Sequence, residues 1–262
     1  AILVPEAGIV DYPAVCQKLA DLLRDRGHDV KMNCKVEDIK ACSREVEIRT
    51  KNEILKAGFL ISCGGLYSDH LATRAGLEAP AQIVPFRGEY YELVDGRRDL
   101  CRHLIYPVPD PNFPFLGVHF TRMVSGDVEC GPNAVFALAR EGYSWRNFNL
   151  GELAESLAFG GFRKLASTHW RMGLGEVHRS LSKAAFVKAL QRLIPRIEAN
   201  DLQPCRAGVR AQALTADGKM VDDFLWVTGK NMVHVCNAPS PAATASLEIG
   251  RHIVDRVEGE LQ

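Results

Sequence analysis

The sequence predicts a mixed α/β (α+β) chain in which an incomplete Rossmann-like nucleotide domain is interrupted by a second domain built on an antiparallel sheet. Three observations carry that prediction. Phe59-Leu60-Ile61-Ser62-Cys63 is a continuous apolar run that ends in Gly64-Gly65 and leads into a helix-compatible stretch from Tyr67 to Ala75. Strand, tight glycine turn and helix in that order is the architecture of a nucleotide site. From Ile83 to about Gly131 the chain changes to short strand-like runs separated by Pro and Gly, which reads as antiparallel pairing. Near the end, strand, loop and helix return in Val233–Cys236, Asn237–Pro241 and the small residues after them.

The elements follow in order. Residues 13–27 place Pro13 at a first helical position, Val15, Leu19, Leu22 and Leu23 at helical spacing, and Gly27 as a stop. Val30, Met32, Cys34 and Val36 alternate with polar residues as in a half-buried strand, and Val46/Ile48 and Ile54/Leu55 flank a Lys51-Asn52 turn. Strand-like runs cover Glu89–Val94, Leu104–Val108 and Phe115–Phe120, and residues 150–200 are helical with a break at Pro195. Strands are expected again at Ala207–Leu214, Phe224–Thr228 and Met232–Cys236, before a last helix from about Ala242 to Val257.

A chain of 262 residues that is 47% hydrophobic and 24% charged can bury one large core or two modest ones. Lys plus Arg and Asp plus Glu both number 32, so the basic excess of a dedicated nucleic-acid binder is absent and a small-molecule partner is expected. The eight cysteines are widely spaced without a C-x-x-C pair, which argues for reduced thiols in an intracellular, reducing compartment and against a zinc ribbon. His169 and His178 have no acidic partner at ligand spacing, and no metal site is expected. No apolar run approaches the roughly 20 residues that span a bilayer. The opening Ala-Ile-Leu-Val-Pro-Glu is not a signal peptide, and its lack of Met suggests a processed or incomplete chain.

In the C-terminal unit Ser240 can cap a helix and Pro241 can occupy its first position, which would turn free backbone N–H groups toward an anion or an electron-rich ring edge. A capped helix packed on its neighbour is the alternative. Asn237-Ala238-Pro239-Ser240-Pro241-Ala242-Ala243-Thr244, together with Phe86-Arg87-Gly88-Glu89-Tyr90-Tyr91, Tyr106-Pro107-Val108-Pro109, Leu116-Gly117-Val118-His119-Phe120-Thr121 and Gly131-Pro132-Asn133-Ala134, resembles the L-2-hydroxyglutarate dehydrogenase family. The resemblance extends from Pro5 to the C-terminal helix. It implies membership of the D-amino-acid oxidase and glycine oxidase superfamily, with bound FAD, a dinucleotide-binding domain assembled from the separated segments 1–80 and 205–262, and a substrate domain, 81–204, with an antiparallel sheet and a helical segment.

On that resemblance, Val36 meets the adenine through its backbone, Cys63, Gly64 and Gly65 face the cofactor, and Asn237, Ala238, Pro239, Ser240, Pro241, Ala242 and Ala243 face the flavin ring. Arg210, in Gly208-Val209-Arg210, stands where superfamily members place an arginine for the substrate carboxylate, a task its planar fork suits. Ala211 follows it where a proline is usual, which fits the hydroxyglutarate branch. His119 lies between apolar Val118 and Phe120 and so can point to the opposite side of a strand as a general base, or serve as a structural histidine. Arg87, Tyr90, Tyr106 and Arg122 are candidates for a distal carboxylate, and Asn133 for a substrate or flavin oxygen, or for a turn.

The sequence contains no G-x-G-x-x-G turn after a strand; Gly173-Leu174-Gly175 lacks both the third glycine and the strand. The isolated chain is therefore expected to bind FAD poorly. The expected reaction is hydride transfer from L-2-hydroxyglutarate to flavin, giving 2-oxoglutarate and leaving an unknown acceptor to reoxidise the flavin. The alternatives are an amino-acid or amine oxidase of the same superfamily and a non-catalytic fragment or binding module. The compartment is the cytoplasm of a bacterium or a mitochondrion, and peripheral membrane contact is left open.

Overall fold

The computed structural model describes residues 2–108 and 117–261, and has mixed helices and sheets as the sequence predicts. The elements are α1 (Tyr12–Asp25), β1 (Val36–Ala41), β2 (Val46–Thr50), β3 (Ile54–Ala57), β4 (Leu60–Ser62), α2 (Ser68–Arg74), β5 (Ala81–Gly88) and β6 (Tyr91–Leu93). These are followed by β7 (His119–Arg122), β8 (Val128–Gly131), β9 (Val135–Phe136), α3 (Leu150–Ala158), α4 (Gly160–Leu181) and α5 (Lys183–Leu190). The chain closes with β10 (Leu202–Pro204), β11 (Gly208–Thr215), β12 (Leu225–Gly229), β13 (Met232–Asn237) and α6 (Ser246–Leu261).

Two compact units result, one of Ala1–Leu19, Pro85–Leu150 and Ala166–Arg210, the other of Ala20–Val84, Gly151–Leu165 and Ala211–Gln262. The first unit holds the four-stranded antiparallel sheet, and the second holds the nucleotide-type strand, turn and helix at residues 60–74.

In the nucleotide-type unit β12, β13 and β4 form a sheet with β13 central and parallel to β4, Met232 opposite Leu60 and His234 opposite Ser62. The apolar run ending in Gly64-Gly65 thus becomes a short strand at a sheet edge, with Ile61 partly exposed. Helix α2 is fixed to this sheet by Ser68 Oγ, which donates to the Cys236 carbonyl at 3.0 Å. The buried Asp69 accepts the Ile83 N–H at 2.9 Å and so ties α2 to β5. Ile39, Val46 and Met232 form one core cluster, Ala72, Val227 and Cys236 a second.

The β1-β2-β3 ribbon is antiparallel, with its second turn at Lys51-Asn52 as expected. Its first strand starts at Val36 instead of Val30, because Asn33 adopts a left-handed backbone (φ 56°) that a strand cannot continue through. The last helix also starts late. Residues 242–245 form a hydrogen-bonded turn (Ala245 N–H to Pro241 C=O, 3.1 Å), and regular helix begins at Ser246, so Ser240 and Pro241 are not its cap and first residue. Exposed alanines supply no packing to extend the helix backward.

In the antiparallel unit the sheet order is β10-β6-β8-β7. One face carries Leu93, Phe120, Val128, Cys130 and Leu202, and is covered by Phe186, Leu190 and Ile197. Helix α5 is positioned by Ser182, whose Oγ caps it by accepting from Ala185 N–H. The expected strand Leu104–Val108 is reduced to a single bridge, Ile105 to Phe120, and Phe115 and Leu116 of the next expected strand lie outside the described residues. In the helical stretch Pro195 lies beyond α5, and α4 has a kink at His169 (φ −114°, ψ 21°).

Helix α1 forms where expected but buries none of its side chains; Leu19, Leu22 and Leu23 are exposed. No described helix is long and apolar enough to cross a membrane.

His234 is fully buried in β13, with Nδ1 unpartnered among the described residues and its pKa lowered by burial. The unfolded chain therefore takes up a proton below about pH 6.5 that the folded chain resists, so stability falls as pH falls through that range. Urea unfolding at pH 7.5 and 5.5 should show this loss, at a slope of at most about 1.4 kcal/mol per pH unit from this residue. His234→Phe should flatten the slope.

Candidate functional site

Because β4 and β13 run parallel, Cys63-Gly64-Gly65 and Asn237–Ala243 leave the sheet at the same carboxyl edge, where α/β folds place ligands. Gly65 has a left-handed backbone (φ +54°) with nothing within 4 Å of where a Cβ would stand, so the turn is open on that side. Gly64 is close-packed instead; a Cβ there would meet Leu71 Cδ1 at 2.5 Å. Cys63, Ser240, Pro241, Ala242 and Ala243 are exposed, Ala238 and Pro239 half-buried.

Asn237 is occupied structurally, its Nδ2 donating to the carbonyls of Asp223 at 2.7 Å and Val221 at 3.3 Å. Val36 begins the ribbon, and its carbonyl accepts from Arg74 Nη1 at 3.0 Å. Open backbone and small side chains at one sheet edge fit a planar cofactor. They supply no cationic side chain for a pyrophosphate.

In the antiparallel unit, the sheet face opposite the core gathers three of the predicted residues. His119 pairs with Gly131 across β7 and β8. A Cβ on Gly131 would lie 3.0 Å from Tyr90 Cδ1 and 2.8 Å from the Glu89 carbonyl, so only glycine lets Tyr90 pack so closely there. The Ile105–Phe120 bridge lays the 105–108 segment along β7, and Tyr106 stacks on His119 with ring centroids 4.1 Å apart and planes 17° from parallel.

His119 Nδ1 is 3.0 Å from the Gly117 carbonyl, which can only accept. In the neutral ring, Nδ1 therefore carries the proton and Nε2 the lone pair. Burial lowers the pKa of His119, opposed by the Gly117 contact. Tyr90 is pushed up to about 12 by burial and by neighbouring Glu129, Tyr106 and Cys205, so it is a neutral donor. The arrangement places a neutral base on the same face as the neutral phenol of Tyr90.

Four further candidates have other surroundings. Arg210 projects from the exposed start of β11, in another sheet, with its pKa lowered by desolvation. Arg122 Nη1 donates to the Cys101 carbonyl at 3.4 Å. Arg87 is fully buried: Nη2 and Nε donate to Glu89 Oε1 at 2.7 and 3.1 Å, and the guanidinium lies 4.5 Å from the centre of the Trp145 ring.

Asn133, also buried, donates from Nδ2 to Glu89 Oε2 at 2.9 Å and accepts the Glu89 N–H at 2.9 Å. The adjoining Ala134 N–H donates to Glu176 Oε2 at 3.1 Å, and Glu176 pairs with Arg179. Arg87 and Asn133 thus belong to one buried network and present no open fork to a ligand.

Glu89 and Glu176 escaped the sequence reading. The signal for Glu89 was available: residues i and i+2 of an extended segment share a face, and Arg-x-Glu offers a pair. Glu176 is brought to Ala134 only by the fold. In the other unit Asp69, His70 and Glu155 offer ligand-type atoms within 4.8 Å of one another. Hydrogen bonds account for the group: His70 Nε2 lies 2.8 Å from Glu155 Oε1, and Asp69 accepts the N–H groups of His70 and Ile83.

Glu89→Ala should destabilise the antiparallel unit by about 3–5 kcal/mol by stranding a buried cation. Chemical denaturation of the variant checks this, and Arg87→Met in the same background should recover part of the loss.

Relatives of this chain sharpen the picture. L-2-hydroxyglutarate dehydrogenase from Escherichia coli (strain K12) is 46% identical over 98% of the chain, and the protein of that name from Indibacter alkaliphilus is 50% identical over 95%. The chain spans 61% and 63% of their lengths. A mitochondrial L-2-hydroxyglutarate dehydrogenase from Nematostella vectensis is 44% identical, with 98% of the chain and 60% of the relative covered.

Among solved structures, dithionite-reduced L-α-glycerophosphate oxidase from Mycoplasma pneumoniae with FAD bound shares the fold, with a TM-score of 0.63 and 19% identity over 92% of this chain and 54% of that one. Glycine oxidase from Bacillus cereus ATCC 14579 does so with a TM-score of 0.59 and 12% identity, covering 95% and 55%. Residues 1–256 match the DAO family of FAD dependent oxidoreductases, and the chain belongs to that family.

Proposed function

We infer that the protein containing this chain oxidises L-2-hydroxyglutarate to 2-oxoglutarate. The observation that carries the chemistry is the fixed tautomer of His119, whose lone pair at Nε2 stands on the polar face shared with Tyr90 and Tyr106. The names of the relatives support the choice of substrate. Oxidising a secondary alcohol removes a proton from oxygen and a hydride from carbon. His119 Nε2 takes the hydroxyl proton, which an imidazole already neutral at physiological pH can do. Tyr90 donates to the developing carbonyl oxygen, and Arg210 binds the C1 carboxylate through two parallel N–H bonds.

FAD, when bound, supplies the two-electron acceptor for the C2 hydride. The open turn at Gly65, with Cys63, and the small residues 238–243 would border it, and Val36 would meet it through the peptide backbone. Arg87 and Asn133 act indirectly, by fixing the Glu89–Tyr90 corner through Glu89. All eight cysteines are free thiols, which supports the assignment to a reducing compartment.

Anaerobic mixing of the flavin-loaded full-length protein with L-2-hydroxyglutarate should bleach flavin absorbance faster than L-glutamate does. The reverse order would favour amino-acid oxidation instead. His119→Gln should slow flavin reduction by about 10²–10⁴-fold. Arg210→Met should raise KM by about 10- to 100-fold, the loss expected for a charge-assisted pair.

A further inference from the structure

We propose that Thr121 is a positioning residue for His119: by holding the phenol of Tyr106 it keeps that ring flat against the imidazole and leaves Nε2 as the open edge. The proposal rests on the reading of His119 as the base. Its geometry is independent of that reading. Thr121 follows His119 by two positions in β7, so their side chains share a face. Its Oγ1 lies 3.1 Å from Tyr106 OH, while the Tyr106 and His119 rings stack at 4.1 Å.

Tyr106 is therefore held at two points, through the preceding Ile105, which bridges to Phe120, and by Thr121 at its hydroxyl. The imidazole under that ring has Nδ1 against the Gly117 carbonyl.

Two opposing effects act on His119 through this ring. An aromatic face attracts an imidazolium by about 0.5–1 kcal/mol, whereas covering the ring excludes water and favours the neutral form. Burial is the first cause of the lowered His119 pKa, and the Tyr106 ring stacked on the imidazole is part of that cover. The titratable groups that the neighbouring segments bring toward this face are Tyr106, Tyr90, Glu129, Glu92 and Cys205. On β7 itself Arg122 donates to the Cys101 carbonyl.

The test is an NMR pH titration of the His119 imidazole in the flavin-loaded protein, with its signal assigned by His119→Gln. Thr121→Val should raise the His119 pKa by about half a unit or more toward the ordinary histidine value. The acid limb of kcat/KM should move by the same amount, with KM changed less than about twofold. Thr121→Ser, which keeps the hydroxyl, should restore both.

An unchanged His119 titration in Thr121→Val, or an equal shift in Thr121→Ser, overturns the proposal. If Thr121→Val does not fold, Tyr106→Phe removes the same hydrogen bond, and an unshifted titration there overturns it equally. Full turnover in His119→Gln would instead overturn the base assignment, and the titration, which does not depend on turnover, would still decide the role of Thr121.

Discussion

A guanidinium with no contact with water has to be met by an anion, and in this protein Glu89 meets that of Arg87. One carboxylate oxygen takes two N–H bonds from Arg87, and the other takes the amide of Asn133. The same glutamate gives its own N–H to Asn133, so the corner between β5 and β6 and the turn after β8 are fastened to each other on both sides. Tyr90 is the next residue in the chain, and Gly131 leads into the fastened turn. The spacing that lets Tyr90 lie against Gly131, across from His119, therefore depends on the ion pair that anchors the neighbouring Glu89.

Much of the fold was legible where a local pattern settles the conformation. The apolar run before Gly64-Gly65, the Lys51-Asn52 turn, and the β12–β13 pair appear nearly where their sequences place them. The displaced boundaries have local causes that pattern alone does not resolve. Asn33 interrupts an alternation that would otherwise continue as a strand, and the alanines after Pro241 remain a turn because nothing packs on them. Residues 104–108 contain strand formers but pair at one point only.

The candidate site divides in the same way. His119 was readable from its apolar neighbours, which force it to the other face of β7, and the structure adds the partner that selects its tautomer. Arg87 was a candidate for the distal carboxylate because a diacid needs a second anion-binding end. What buries it is a tryptophan 58 residues away in sequence (145 minus 87) and a glutamate two away, and only the second is visible to a local reading. Asn133 was ambiguous between turn and ligand, and both ends of its amide are taken by Glu89.

Helix α1 has a different consequence, for timescale. A helix of 14 residues is near the length at which isolated helices are only marginally stable in water, and α1 buries none of its side chains. Its own propensity, the Asp11 side chain accepting from Ala14 N–H at 3.1 Å and the Arg24–Asp21 pair at 3.0 Å are among its supports. Without cover its amide hydrogens would exchange on a schedule set by helix–coil relaxation, in the range of about 0.1–1 μs per opening. Those of β13, central in its sheet, would wait for cooperative opening of the unit. Any surface that came to lie on Leu19, Leu22 and Leu23 would thus slow the exchange clock of α1 first.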